Sequence, residues 1–110
     1  MTKQLQLNLV KGIMQNYPES GAGAVLQCID WKYSQSVYEF EDGDEGKLYT
    51  LTEMELLAAV PIMFMNWPKG CTPLPVTFTE ESVEEWCCQA DANDHDAFVQ
   101  IAVFGEVIYG

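Results

Sequence analysis

Residues 24–51, AVLQCIDWKYSQSVYEFEDGDEGKLYTL, decide how the chain is to be read. Val25, Gln27, Ile29, Trp31 and Tyr33 alternate with Leu26, Cys28, Asp30 and Lys32, which is the two-residue period of a strand rather than the 3.6-residue period of a helix. Ser34-Gln35 interrupts the run before a second strand-like stretch over 36–41. Asp42-Gly43-Asp44-Glu45-Gly46 then carries an Asp-Gly turn signal before a third over 47–51. Three short strands joined this way predict an antiparallel meander. One face of such a sheet is apolar and needs cover, so helices are expected in the rest of the chain.

On the N-terminal side, residues 3–16 allow two readings. Leu5, Leu7 and Leu9 alternate with Gln4, Gln6 and Asn8, but Leu5, Leu9, Val10, Ile13, Met14 and Tyr17 also form a helical stripe ending at Pro18. The pattern is long for a strand, and helix is expected. Ser20-Gly21-Ala22-Gly23 reads as a loop. On the C-terminal side, Thr52-Glu53-Met54-Glu55 has the capping-box pattern and opens a helix that should kink or restart at Pro61. Pro68, Pro73 and Pro75 predict an extended loop. Thr79 is expected to cap a helix over 80–90, whose Val83, Trp86, Cys87 and Ala90 recur at i, i+3, i+4 and i+7. Asp94 is expected to cap a last helix over about 95–107, apolar nearly all round; its β-branched content leaves a strand pair over 98–104 and 106–109 as the alternative. The expected fold is α+β in a single domain over residues 1–110: an N-terminal helix, a three-stranded antiparallel meander, then about three helices packed on one face.

The chain is strongly acidic. Seventeen Asp and Glu face five Lys and no Arg, for a formal net charge of −12. A hydrophobic fraction of 48% with 12% aromatic residues argues for a folded domain, since disordered acidic chains lack such side chains. Binding to nucleic-acid phosphate or to an anionic membrane is disfavoured. The charge is also uneven: residues 70–110 hold eight acids and no Lys, and so contribute −8 of the −12. The N-terminus has no apolar block of a signal peptide, and no apolar run is long enough to span a bilayer, so a soluble cytoplasmic protein is expected.

Candidates for chemistry are few. Cys28, Cys71, Cys87 and Cys88 lack both Cys-x-x-Cys spacing and partner histidines, and are expected to be reduced, mostly buried thiols rather than a zinc or redox centre. His95, the one histidine, lies between Asp94 and Asp96, where a carboxylate could orient a general base, but a solvated helix start is the expected state. The oxygen-rich run 91–96 begins like a calcium loop, yet Asp96 stands where the loop needs Gly and Ala102 where it needs Glu. No phosphate cradle is present, and Ser20, Ser34, Ser36 and Ser82 have no base of their own. The chain is read as no enzyme, with no cofactor and no metal.

What remains is surface. Glu80, Glu81, Glu84, Glu85, Asp91, Asp94 and Asp96 gather near the 80–90 helix, with Glu39, Glu41, Asp42, Asp44 and Glu45 as a second cluster. Either set is compatible with a merely solubilising face. Met54, Met63 and Met65 with Phe64 and Trp67 suggest either core or an adaptable docking patch. Carboxylates along a helix can stand where a nucleic-acid backbone would and steer association with a basic cleft. In size, charge and lack of catalytic groups the chain resembles nuclease-immunity proteins and the DNA mimics that block restriction or CRISPR machinery, though no motif places it among them. The expectation is a non-catalytic module that binds a basic, nucleic-acid-binding protein through Glu80, Glu81, Glu84, Glu85, Asp91, Asp94 and Asp96, with Trp67 and Met65 as apolar anchors. The alternative is a homo-oligomeric accessory subunit assembled, as a homodimer in the simplest case, through the apolar C-terminal element.

Overall fold

A computed structural model describes residues 1–16, 26–32, 37–42 and 46–108, with side chains over 1–15, 37–41 and 46–108. Its class is α+β. The described elements run α1 (Lys3–Asn16), β1 (Leu26–Lys32), β2 (Val37–Asp42), β3 (Leu48–Thr52), α2 (Glu53–Asn66), α3 (Glu80–Gln89) and α4 (Ala92–Phe104). The expected loop at 20–23 and the turn residues 34–35 and 43–45 lie outside the described residues.

The strands lie in the order β1-β2-β3, with both neighbouring pairs antiparallel. Tyr38 opposes Leu51 and Phe40 opposes Tyr49. All four belong to one face of the pleat, and Phe40 and Leu51 are buried in the core. In β1 the pairing with β2 shifts between Cys28 and Asp30, so that Ile29 is the extra residue of a bulge. The uninterrupted alternation expected over 24–33 therefore does not hold along the strand as it is paired.

The helices obey local chemistry. The ambiguous N-terminal segment is helical, and Leu9, Val10, Ile13 and Met14 form its buried stripe. Thr52 caps α2: its Oγ1 accepts the Glu55 N–H at 3.3 Å, and Glu55 Oε1 accepts the Thr52 N–H at 3.1 Å. The helix then continues through Pro61 instead of restarting there. Pro61 sits on the exposed side, where water can bond the carbonyl that the missing N–H leaves free. Leu56, Ala59, Val60 and Met63 face the core at i, i+3, i+4 and i+7.

The last helix starts earlier than Asp94. Asp91 is its cap, because Asp94 three residues on completes a reciprocal box, whereas Ala97, three beyond Asp94, has no acceptor to do the same. It stops at Gly105, whose φ of 82° and N–H bond to the Ile101 carbonyl close the C-terminus, so the helix ends at Phe104 short of the expected 107.

Cover of the sheet is divided. α2 and α4 lie against β3, while α3 packs chiefly on α1, which itself touches α2 and α4. The three later helices thus do not share one face of the sheet as expected: α3 is an outer element, held by Val83 and Trp86. Phe98, Val99 and Ile101 of α4 join the same core cluster as α1, α2 and the sheet.

Candidate partner-binding surface

α3 is short, so its orientation depends on its cap and its seat. Thr79 Oγ1 accepts the Ser82 N–H at 3.1 Å, and Ser82 Oγ accepts the Thr79 N–H at 2.8 Å. With Val83 and Trp86 turned inward, Glu80, Glu81, Glu84 and Glu85 are all exposed. They form two adjacent i,i+4 rows, Glu80–Glu84 and Glu81–Glu85. Glu80 and Glu81 are favoured by the helix dipole, but like charges four residues apart repel, and no basic residue lies in the last turn.

A groove of about 480 Å³ runs between α1 and α3, with Glu80 and Glu84 on one side, Lys11 and Gln15 on the other, and Gly12 and Cys87 between them. Gly12 is there for a reason of space. A Cβ built at residue 12 would lie 2.5 Å from Cys87 Sγ and 3.2 Å from Cys87 Cβ. Gly12→Ala should therefore destabilise the fold by about 1–2 kcal/mol, although alanine gains roughly 1 kcal/mol in helix propensity. In a Cys87→Ala background the same change should be close to neutral; urea titration of the double-mutant cycle measures the difference.

The turn from α3 to α4 divides the expected acids. Asp91 is exposed, Asp96 is half-buried, and Asp94 is fully buried. Asp94 is thus withdrawn from the surface that sequence alone assigned it to. Its Oδ1 accepts the Thr72 N–H at 2.7 Å, and its Oδ2 accepts the Thr72 hydroxyl at 2.6 Å and the Asp91 N–H at 2.9 Å. Burial by itself would raise its pKa, but the bonds from Thr72 and Asp91 outweigh that and hold the carboxyl below its ordinary value.

Thr72 is the hub of the 67–79 connection. Its carbonyl accepts Trp67 Nε1–H at 2.8 Å and, more loosely, Trp86 Nε1–H at 3.4 Å, and the two indoles meet edge to face at 5.9 Å. Trp67 is accordingly a half-buried structural ring rather than a free anchor, whereas Met65 is 81% exposed. Sequence reasoning missed this hub. The Asp-x-x-Asp spacing at 91–94 was the available signal, because an N3 carboxylate with a spare oxygen can hold a second segment.

The remaining candidates are mostly structural. His95 is 4% exposed, not solvated, and neither ring nitrogen has a hydrogen-bond partner. Burial pushes its pKa below 6.5, and the fields of Asp94 and Asp91 only partly oppose that. Asp96 is pushed the other way: burial raises its pKa, while the 2.7 Å bond from Gln100 Nε2 to Oδ2 opposes the rise. Cys71, Cys87 and Cys88 are free thiols, and Cys88 is exposed. Burial first, then Asp94 for Cys71 and Cys88 for Cys87, lifts the first two to about 11, which makes them poor nucleophiles. Among the described residues no three His, Cys, Asp or Glu side chains are placed to hold a metal ion, and no helix is long and apolar enough to cross a membrane.

Of the second acidic cluster, Glu39 and Glu41 are half-buried on β2, and the side chains of Asp42, Asp44 and Glu45 lie outside the described residues. Among the described residues, α3 carries four exposed acids on one short helix. No protein-family model, curated protein or solved structure matches the chain, so this surface is read from its own residues.

Proposed function

We propose that the protein is a non-catalytic, cytoplasmic binding module that occludes a Lys/Arg-rich, nucleic-acid-binding groove on another protein with the outer face of α3. The observation that carries the reading is the mounting of Glu80, Glu81, Glu84 and Glu85. Four exposed carboxylates stand on a helix fixed by a capping box and two buried anchors, and they belong to the Lys-free end of the chain. The two like-charged rows oppose folding slightly, so they are not there for the fold. Against a basic cleft they accelerate encounter and exclude a competing phosphate backbone. Asp91 extends the face; Asp94 does not belong to it, and Asp96 only partly.

Replacing Glu81, Glu84 and Glu85 together by Gln tests this. The variant should fold with unchanged or slightly higher stability, and its association rate with the partner at low salt should fall about tenfold and become less salt-sensitive. Affinity capture from the native host with wild type and variant side by side, at low and high salt, identifies the partner. A nucleic-acid-binding protein retained only by wild type at low salt supports the proposal; equal retention by the variant overturns it.

The alternative, self-assembly through the C-terminal element, has less support among the described residues. Phe98, Val99 and Ile101 are buried in the chain's own core, while Ala102, Val103 and Phe104 are partly exposed and Ile108 is 47% exposed.

A further inference from the structure

The largest exposed apolar side chains on any described helix are Met54 and Met65, both 81% exposed and both on α2. Eleven residues separate them, which is three turns, so they share a face. Ala58 and Pro61 lie between them on that face and are exposed as well. The result is a solvent-facing stripe, Met54-Ala58-Pro61-Met65, about 17 Å long and without a charge, on a chain of net charge −12. It lies opposite the Leu56, Ala59, Val60 and Met63 stripe that faces the core.

Two properties point to one occupant. The spacing 4-3-4 reads the same in both directions, so two antiparallel copies related by a twofold axis set Met54 against Met65 of the other copy. Ala58 then meets Pro61 at the middle, where small side chains let the helices approach. The charges at the ends are complementary in the same arrangement. Glu53 and Glu55 flank the N-terminal end of α2, and exposed Lys69 follows its C-terminal end, so antiparallel pairing brings the acids of one copy to the lysine of the other. Elsewhere two copies of so acidic a chain repel each other.

We infer that α2 is a self-association face, on which a second copy of this chain docks antiparallel across Met54, Ala58, Pro61 and Met65. This goes beyond the reading of α3 and does not depend on it. Two helices of about 21 Å bury less than the roughly 1,200 Å² of a tight complex. The carbonyl that Pro61 leaves free also lies near the contact, so the dimer is a reversible one in the micromolar range. Because α3 packs on α1 and not on the outer face of α2, the pair presents two acidic α3 faces.

Sedimentation velocity of the full chain from about 5 to 500 μM tests the inference. A concentration-dependent dimer is expected, weakened at least tenfold by Met54→Glu or Met65→Glu, with circular dichroism confirming that these exposed positions leave the helix folded. Lys69→Glu should also weaken it, and combining that change with Glu53→Lys should restore it, which only the antiparallel arrangement explains. A monomer at 500 μM overturns the inference, as does a dimer indifferent to Met54 and Met65. Dimerisation should survive replacement of Glu81, Glu84 and Glu85 by Gln, so failure here and failure of the α3 proposal are read separately.

Discussion

Asp94→Ala should lower the folding stability by about 3–5 kcal/mol, a larger loss than any change on the acidic face. The carboxylate is fully buried and receives three donors: the Thr72 N–H, the Thr72 hydroxyl and the Asp91 N–H. Truncation removes both acceptor oxygens at once, and each orphaned buried donor costs about 1–3 kcal/mol unless water enters. Asp94→Asn should cost roughly half as much, because it keeps one acceptor oxygen but turns its amide NH2 toward groups that are themselves donors. Thr72 also holds Trp67 and Trp86 through its carbonyl, so the loss should be accompanied by a change in tryptophan emission before global unfolding. Urea titration of the three proteins decides the point; a loss under about 1 kcal/mol for Asp94→Ala would show that its bonds to Thr72 and Asp91 do not hold the fold.

The second large effect is a loss of stability on mild acidification. In the unfolded chain His95 binds its proton near pH 6.5, whereas the buried ring, with neither nitrogen bonded, binds it only at lower pH. Between those two values the unfolded state carries more protons, so stability falls as pH falls, by up to about 1.4 kcal/mol per unit starting near 6.5. The charged groups whose fields reach the ring among the described residues are Asp94 and Asp91, and both limit the effect without cancelling it. Asp96 acts with the opposite sign. Its raised pKa costs stability at neutral pH, and that cost fades as pH falls toward 3.8. Relief of self-repulsion among the many carboxylates also favours the folded state in acid. A decline between pH 7 and 5.5 therefore belongs to His95, and His95→Gln should flatten it; a decline that persists in that variant would assign it elsewhere.

Much of the fold could be read from periodicity and caps. Thr52, Thr79 and the 83–90 stripe announced α2 and α3, and the strand-like stretch over 36–41 announced β2, because these signals depend on neighbours a few residues apart. The misses came from interactions that span the chain. The Asp-x-x-Asp spacing at 91–94 shows that Asp94 can hold a second segment, but nothing near it in sequence names Thr72 as that segment, and so an acid counted as surface proved to be core. His95 was misread for the same reason, since a polar residue between two aspartates looks solvated until the helices around it are placed. The α3 carboxylates were legible because exposure there follows from the helical period alone. The close approach of Gly12 to Cys87 was not, because it depends on how α1 crosses α3.

Thr52 is both the last residue of β3 and the cap of α2, so strand and helix meet with no residue to spare. The phase of the helix is thereby geared to the register of the sheet. One residue added at this joint would turn α2 by about 100°, carrying Leu56, Val60 and Met63 out of the core and swinging the Met54–Met65 stripe toward it. In a chain whose outward faces lie on separate helices, the direction in which the α2 surface points is thereby set by β3.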